Sequence, residues 1–341
     1  MRDIILELDR WISDGNDVVI ATVVSTWGSA PRAVGAKMAL TANGKMSGSV
    51  SGGCVEGAVA EAAKQVFKSL QPNLLEFGVT DETAWDVGLA CGGTICVFVQ
   101  LLNEDIFRAT RSSNNEAFAT LTVIDGPKNL LGRQLFVADN GDQTGSINSD
   151  LDNDVLSIAR AALQKGTSQL TKLRDGIEIF VEIVSNPPTL ILVGGVHIAI
   201  PLSKMAKMIG YRTIVIDPRR SFGSRERFPD VDVLLHSWPD SALSKLDLNN
   251  STAVAVLTHD PKIDDLALAM ALPSQVFYVG ALGSQNTNAL RRKRLLEAGL
   301  KQKDVDRLSA PIGLDIGGRS PQEIALAVMA EIISIQYSSR D

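Results

Sequence analysis

Apolar and amphipathic segments alternate regularly through the second half of the chain. Five apolar runs have the length of buried strands, and segments with helical spacing separate most of them. The strands are predicted at 189–193, 213–217, 231–235, 253–257 and 275–280. The helices are predicted at 198–209, 262–271, 285–298 and 321–336. This alternation predicts a doubly wound parallel sheet with right-handed crossovers, which is a Rossmann-like architecture.

The first half mixes strand-like and helical runs without that alternation. Ile5, Leu8 and Trp11 recur at helical spacing and predict an amphipathic opening helix. Asn43-Gly44 stands between two short runs and predicts a tight hairpin. The pattern as a whole predicts an α+β domain with a substantially antiparallel sheet, and no internal repeat is evident. Further strands are predicted at 17–25, 94–102, 118–125 and 177–184, and further helices at 54–69 and 151–165.

A linker is predicted where the pattern changes. Pro187 and Pro188 stand between the two halves, and consecutive prolines continue neither a helix nor a central strand. We therefore predict an N-terminal domain at 1–185 and a C-terminal domain at 189–341.

The composition is that of a soluble globular protein, with 341 residues, 45% hydrophobic and 21% charged. A net charge of -6 argues against nonspecific nucleic-acid binding, and the basic run 291–294 is expected to be a solvated helix face. No apolar run reaches the roughly 18 residues that a membrane span needs. The start of the chain carries acids within its apolar stretch, which predicts no secretory signal. Three cysteines in such a chain are expected to be reduced thiols in the cytoplasm.

The first strand, turn and helix of the second half have the order of a dinucleotide-binding fingerprint. The turn reads Gly194-Gly195-Val196-His197. Asp217 ends the next strand about twenty residues further on, where such an acid meets a ribose hydroxyl. Val196 replaces the second glycine of the fingerprint, and a β-branched side chain there narrows the approach of a pyrophosphate. The turn therefore favours a Rossmann-like scaffold with an empty or repurposed turn over ordinary NAD binding.

Other candidate residues follow the later strands of the same sheet, where ligands of parallel sheets bind. His259 and Asp260 come just past one strand, although a histidine of this kind is more often a structural hydrogen-bonding residue. Gly283 and Ser284 stand at a helix start, where free backbone N–H groups bind phosphate. Asp315 lies in a Gly-rich loop near the same edge. Each signal is weak alone, but together these residues are predicted to line one crevice.

Two cysteines are flanked by glycines beside strand-like runs. Gly52 and Gly53 allow a tight turn, and Cys54 is predicted to follow it at the first turn of a helix. The helix dipole and free N–H groups at such a position lower the pKa of a thiol and favour the thiolate. Cys91 is followed by Gly92 just before a strand, in a similar setting.

The residues alone leave the role of these cysteines open. There is no Cys-x-x-Cys pair, and the three histidines lie in the other half of the chain, so a zinc site is not predicted. Cys54 and Cys91 are either small turn residues, or soft metal ligands or carriers of reactive sulfur. Cys96 sits inside an apolar strand, where a free cysteine behaves as a small hydrophobic residue.

These residues lie in stretches that resemble the XdhC/CoxI family, the accessory proteins of molybdenum-containing hydroxylases such as xanthine dehydrogenase and carbon monoxide dehydrogenase. The matching stretches lie in the family's order and cover both halves of the chain. One departure is visible, because many members read Gly-Ala-Gly-His where this chain reads Gly194-Gly195-Val196-His197. The matching stretches are 21–63, 87–93, 190–199, 254–265, 278–284 and 311–332.

The resemblance implies a homodimer with a family-specific N-terminal domain and a Rossmann-like C-terminal domain. It implies binding of the molybdopterin form of the molybdenum cofactor and delivery to an apo molybdenum hydroxylase. In some members it also implies help with sulfuration by a cysteine desulfurase. Cys54 and Cys91 are then the candidate metal ligands. The further candidate cofactor-binding residues are Gly52, Gly53, Gly92, Gly194, His197, Asp217, His259, Gly283, Ser284 and Asp315.

Two other functions remain open from the residues. One is an NAD(P)-dependent oxidoreductase that uses the same sheet, and the other is a scaffold protein that recruits the hydroxylase without binding a cofactor. Val196 counts against the first, and no Tyr/Lys or His/Asp pair with hydride-transfer spacing is identifiable. NAD(P) is therefore not the expected cofactor.

Overall fold

The computed structural model describes residues 4–53, 55–78, 93–113 and 116–338. The chain forms two compact units, Met1–Asn186 and Pro187–Asp341. Within the described ranges, none of the helices combines the length and apolar character needed to cross a membrane.

The first antiparallel sheet follows the opening helix. In the part of the chain that the structure describes, its strands lie in the order β3-β2-β1-β5-β4, and all neighbours are antiparallel. The predicted opening helix and the hairpin at Asn43-Gly44 are confirmed. The elements are α1 (Ile5–Ser13), β1 (Val18–Trp27), β2 (Lys37–Thr41), β3 (Met46–Gly48), α2 (Glu56–Ser69), β4 (Asn73–Phe77) and β5 (Thr94–Leu101).

A second antiparallel sheet completes the first unit. Among the described residues its strands lie in the order β8-β7-β6-β10-β9. The α+β prediction for this half is therefore confirmed, with two sheets instead of one. The elements are α3 (Glu104–Ser112), β6 (Phe118–Asp125), β7 (Gln134–Ala138), β8 (Gln143–Gly145), α4 (Asp152–Lys165), β9 (Gln169–Lys172) and β10 (Glu178–Val184).

The two sheets repeat one design. Each consists of three strands, a helix and two strands, and the five strands have the same spatial order in both. Strand pairing gives the equivalent positions: Thr22 lies opposite Lys37 in the first sheet, and Thr122 lies opposite Gln134 in the second. We call the segments from β1 to β5 and from β6 to β10 the first and second copies.

Both copies need glycine at the same place in the hairpin. Gly48 and Gly145 have φ angles of +78° and +86°. A Cβ atom would stand 2.3 Å from the Lys37 carbonyl oxygen in one copy and 2.4 Å from the Gln134 carbonyl oxygen in the other. The prediction of no internal repeat is therefore wrong. The copies share turn glycines, strand order and apolar spacing while most side chains differ, so a single sequence does not show the repeat.

Each copy has its own core, and a buried ion pair joins the two. Helix α2 packs on one face of the first sheet, and α4 packs on one face of the second. Between the sheets, Lys37 Nζ lies 2.9 Å from Glu182 Oε2 and 3.1 Å from Thr22 Oγ1, and the Lys37 side chain is only 4% exposed. Gln100 pairs with Ile20 on the first sheet in the place that Glu182 has on the second, so the two copies differ at both ends of this contact.

The second unit contains a parallel sheet, as predicted. In the described residues its strands lie in the order β13-β12-β11-β14-β15-β16, so the strand order reverses at β11. This is the doubly wound order, and ligands bind at such a reversal, outside the carboxyl ends of the strands. The strands are β11 (Thr189–Val193), β12 (Arg212–Ile216), β13 (Val233–Leu235), β14 (Thr252–Val256), β15 (Tyr278–Ala281) and β16 (Leu308–Ser309). The helices are α5 (Ala199–Met208), α6 (Pro239–Leu243), α7 (Pro261–Ala271), α8 (Gln285–Glu297), α9 (Gln302–Val305) and α10 (Pro321–Ser338).

Both faces of the parallel sheet are covered, which explains its continuous apolar strands. On one face Ile191 packs in a core cluster with Leu268 of α7. On the other face Leu190 packs in a cluster with Leu202 of α5. The sheet with its two helical layers has a complete core within Pro187–Asp341.

Because that core is complete, we expect residues 187–341 expressed alone to fold as a unit. Differential scanning calorimetry should show one cooperative thermal transition. A fragment that begins at Arg212 is the control, since it lacks β11 from the middle of the sheet and should show no transition. A gradual, non-cooperative melt of 187–341 would contradict the domain boundary.

Candidate functional site

The loops after β11, β12 and β14 touch one another at the carboxyl edge of the parallel sheet. A Cβ atom on Gly194 would stand 2.3 Å from Thr258 Cγ2, and one on Gly195 would stand 2.4 Å from the Phe222 carbonyl oxygen. The Gly195 N–H donates to Asp217 Oδ2 at 2.8 Å. Glycine at both positions of the turn therefore lets three loops meet.

Asp217 is fully buried and already has partners for both carboxylate oxygens. Arg219 donates to it from its backbone N–H at 2.9 Å, from Nε at 2.9 Å and from Nη2 at 2.8 Å. Burial raises the pKa of the Asp217 carboxyl, but the hydrogen bonds from Arg219 and Gly195 outweigh it and lower the pKa below its ordinary value. The Arg219 guanidinium also stacks over the Phe222 ring, 4.0 Å from its centre. A ribose hydroxyl that used this carboxylate would displace one of these bonds.

Val196 and His197 begin the segment that leads into α5. Val196 is half-buried and packs against the core on the α5 side of the sheet, while His197 is exposed. Within the part of the chain that the structure describes, the N–H groups of Val196 and His197 donate no hydrogen bond. The turn therefore offers backbone donors even though it lacks the second glycine of the fingerprint.

A second set of donors lies after β15. Ser284 caps α8, with its Oγ accepting from the Thr287 N–H at 3.2 Å. Gly283 precedes it with a φ of +145°, and neither the Gly283 N–H nor the Ser284 N–H has an acceptor among the described residues. After β14, His259 is exposed and has a φ of +66°, in a region that favours glycine. Such strained backbone is typical of functional loops.

A buried network joins the loops after β14 and β15. Asp264 Oδ2 accepts from Arg291 Nη2 at 2.9 Å, and both side chains are almost completely buried. Thr258 Oγ1 donates to the other Asp264 oxygen at 2.5 Å, and Arg291 Nη1 donates to the Leu282 carbonyl at 3.1 Å. Asn288 contacts Arg291 and donates to the Gly283 carbonyl at 2.9 Å. Asp264 and Arg291 thus hold the loops after β14 and β15 in place through buried hydrogen bonds.

Arg291 contradicts the prediction that 291–294 is a solvated face. Its side chain is 2% exposed because α8 turns this position toward α7, where Asp264 supplies the opposite charge. Burial outweighs the Thr258 hydrogen bond and the charge of Arg291, so the pKa of Asp264 is raised above its ordinary value. Lys293 of the same run is exposed, as predicted.

The loop that carries Asp315 is fastened to the sheet by Glu331. The Glu331 carboxylate accepts from the Gly313 N–H at 2.9 Å and from the Tyr278 hydroxyl. Asp315 itself is exposed and accepts from the Gly317 N–H at 3.3 Å. Asp315 therefore lies on the connection between β16 and α10.

His236 also follows a strand of this edge, and the sequence analysis missed it. It is exposed after β13, and its Nδ1 would lie 3.6 Å from a Cβ atom on Gly223. With His197 after β11 and His259 after β14, all three histidines of the chain follow parallel strands of one sheet. The spacing of the predicted strands could have shown this.

The cysteine sites are described only in part. Cys54, Cys91 and Gly92 lie outside the described residues. Gly52 and Gly53 are exposed, with φ angles of +82° and +125°. The N–H groups of both glycines donate to the Glu56 carboxylate, at 3.1 and 2.9 Å. The backbone donors of these two glycines are therefore already paired.

Glu56 is a residue that the sequence analysis missed. Its carboxylate also accepts from the Ser49 hydroxyl at 2.6 Å, the Ser51 hydroxyl at 2.5 Å and the Ser51 N–H at 2.9 Å. Burial raises the pKa of Glu56, but these hydrogen bonds outweigh it and lower the pKa from 4.5 to about 2. The sequence carried one signal for this role, since Glu56 stands three residues after Gly53, at the start of the predicted helix.

Cys96 agrees with its predicted structural position. It lies on β5, half-buried, and packs against the cluster that contains Phe98 and Phe180. In the ranges that the structure describes, no group of three or more His, Cys, Asp or Glu side chains is arranged to hold a metal ion.

The second unit belongs to a known class of domain, and the matches of both units together give the family of the chain. Residues 190–332 match the XdhC Rossmann domain, in agreement with the doubly wound sheet. Residues 11–78 match the XdhC and CoxI family. The chain belongs to the XdhC and CoxI family.

Relatives with given names cover nearly the whole chain. It is 29% identical over 331 residues to a probable xanthine dehydrogenase subunit of Bacillus subtilis, covering 96% of this chain and 95% of that protein. It is 26% identical over 332 residues to the molybdenum cofactor insertion chaperone PaoD of Escherichia coli, covering 97% and 87%. A crystal structure described as a xanthine dehydrogenase from Bacillus halodurans has the same fold, with a TM-score of 0.76, 24% identity and coverage of 98% and 96%.

We expect Arg291→Met to destabilise the protein strongly, because it leaves Asp264 charged and buried without its partner. Breaking a buried pair in this way costs about 3–5 kcal/mol. Arg294→Met is the matched control, since Arg294 and Asp265 join the same two helices but are partly exposed, and such pairs contribute about 0–1 kcal/mol. Urea unfolding measures both, and equal losses would contradict the structural role of the buried pair.

The lowered pKa of Glu56 predicts a pH-dependent contribution to stability. Its folded pKa of about 2 lies below its ordinary value of 4.5. The ionised form therefore stabilises the fold fully above pH 4.5, and this contribution is lost as the pH falls toward 2. The difference in unfolding free energy between the unchanged protein and Glu56→Gln should shrink over that range. A difference that stays constant from about pH 6 to about pH 3 would contradict the assignment.

Proposed function

We propose that this protein is an accessory protein that binds the molybdopterin form of the molybdenum cofactor and delivers it to an apo molybdenum hydroxylase. Its family membership and the name of PaoD support handling of this cofactor. The name of the Bacillus subtilis relative supports a hydroxylase of the xanthine dehydrogenase type as the recipient.

The observation that carries the proposal is the set of N–H groups that have no acceptor among the described residues, at one edge of the parallel sheet. Gly283 and Ser284 supply donors at the start of α8, and Val196 and His197 supply donors at the start of α5. The pterin of the cofactor ends in a phosphate, and helix N-termini with free N–H groups bind phosphate. The donors present therefore fit the charged end of the cargo.

Independently of the donors on the parallel sheet, we propose Cys54 and Cys91 as soft ligands for molybdenum. Thiolates are soft ligands that suit a sulfur-ligated metal. The exposed turn at Gly52 and Gly53 has open space around it, with nothing within 4 Å of a Cβ atom at either position. An open turn suits a carrier, because the cargo has to leave again.

The oligomeric state, the cell compartment and the sulfur donor belong to the same proposal. We infer a homodimer that works in the cytoplasm, where thiols stay reduced, and that receives sulfur for the cofactor from a cysteine desulfurase. A dinucleotide such as NAD(P) is not part of the proposal. The bonds from Arg219 and Gly195 occupy the Asp217 carboxylate that would otherwise meet a ribose.

We expect Cys54→Ser and Cys91→Ser each to contain roughly tenfold less molybdenum and pterin than the unchanged protein, since serine is a poor ligand for a soft metal site. The proteins would be isolated from a molybdate-fed host, with molybdenum measured by mass spectrometry and pterin by fluorescence after oxidation. Cys96→Ser is the matched control, because Cys96 lies in the core of β5.

Three outcomes separate the proposed function from its alternatives. Full cofactor in both folded cysteine variants would overturn the sulfur-ligand role. Absence of pterin from the unchanged protein, together with binding to an apo-hydroxylase, would support the scaffold function instead. Tight binding of NADPH by titration calorimetry would support the oxidoreductase.

A further inference from the structure

One loop departs from the duplication of the first unit. The loop before the copy's helix spans 49–56 in the first copy and 146–152 in the second, so the first is one residue longer. The extra residue falls between Ser51 and Val55, in the stretch Gly52-Gly53-Cys54. The loop of the second copy, which has no cysteine, therefore serves as a structural reference for the loop of the first copy.

Both loops are tied to a carboxylate in the same way. In the second copy, Asp152 accepts from the Ser146 hydroxyl at 2.6 Å and from the next two backbone N–H groups at 2.9 and 3.1 Å. In the first copy, Glu56 accepts from the Ser49 hydroxyl at 2.6 Å and from the next two N–H groups at 3.2 and 2.9 Å. These shared bonds tie the loop that precedes each helix to the carboxylate of the helix's first residue.

The first copy adds bonds that the second copy lacks. Glu56 also accepts from the Gly52 N–H at 3.1 Å and the Gly53 N–H at 2.9 Å, so the longer loop wraps around the carboxylate. The acid is glutamate here and aspartate in the second copy. One more methylene in the side chain accompanies one more residue in the loop, and this lets a single carboxylate reach six backbone and hydroxyl donors on a longer turn.

We propose that Glu56 is a positioning residue that fixes the Gly52-Gly53 turn and thereby the backbone that leads into Cys54. Both glycines have positive φ angles and exposed surfaces, so neither packing nor intrinsic preference holds them in place. Gly53 is held by its hydrogen bond to Glu56. The Gly52 N–H donates both to Glu56 and, at 2.8 Å, to the Ser49 hydroxyl, which itself donates to Glu56. This inference rests on the proposed function in one respect, since it takes Cys54 as the residue that contacts the cargo.

Three variants of the full-length protein test the role of Glu56. Glu56→Gln replaces an acceptor by an amide that also donates, and Glu56→Asp keeps the charge but shortens its reach. Asp152→Asn is the matched control, because it removes the equivalent carboxylate from a loop without a cysteine. Thermal unfolding measures the structural cost, amide hydrogen exchange measures the order of 49–53, and molybdenum content measures the function.

We expect Glu56→Gln and Asp152→Asn both to lower the melting temperature, because each weakens the shared bonds to the carboxylate, and Glu56→Gln to lower it further, because Glu56 has more donors. Only the Glu56 variants should exchange the amides of 49–53 faster, by roughly tenfold. They should also retain roughly tenfold less molybdenum, because removing a residue that positions a metal ligand typically weakens metal binding by about that factor. Glu56→Asp should keep most of the melting temperature and still lose the protection of Gly52 and Gly53.

Two results would overturn the inference. One is unchanged exchange of 49–53 in both Glu56 variants. The other is faster exchange with the same molybdenum content as Asp152→Asn, which would leave Glu56 a residue that only orders the loop. Failure of the proposed function is distinguishable from both, since absence of pterin from the unchanged protein overturns that function whatever the amide exchange of the Glu56 variants shows.

Discussion

Carboxylates that collect hydrogen bonds from loop backbone hold the candidate loops that the structure describes in both units. Asp217 gathers the donors of the first Rossmann turn, Glu331 anchors the loop before α10, and Glu56 closes the turn before α2. Asp264 and its partner Arg291 hold the loops after β14 and β15. These loops lie where strands or helices end and backbone N–H groups lack partners. Their shapes therefore depend on acids whose oxygens accept hydrogen bonds from the protein itself.

The sequence predicted what depends on period and spacing. The strands and helices that were predicted for the second unit lie within a few residues of their predicted bounds, because strands buried on both faces read as continuous apolar runs and turns carry glycine. The short elements β16, α6 and α9 were not predicted. The positions of Gly194 and Gly283 also follow from the pattern, since each comes just after a strand of the parallel sheet.

What the sequence did not predict depends on contacts between distant residues. Strands β8 and β9 are short and mostly polar, so their pattern carries little hydrophobic signal. Arg291 reads as a surface charge until α7 brings Asp264 to it from 27 residues away. Glu56 reads as an ordinary helix residue until the turn folds back over its carboxylate. The duplication was hidden for a related reason, because it is kept in backbone geometry and turn glycines more than in side-chain identity.

The ion pair between the two copies makes their association directional. If a first copy met another first copy in the same geometry, Lys37 would face Gln100 and would lose its carboxylate partner. Two second copies would bring Gln134 toward Glu182 and leave that acid without a cation. Only the unlike halves pair Lys37 with Glu182, and an unpaired buried charge is costly. The contact therefore favours the pairing of the first copy with the second over the pairing of two like copies.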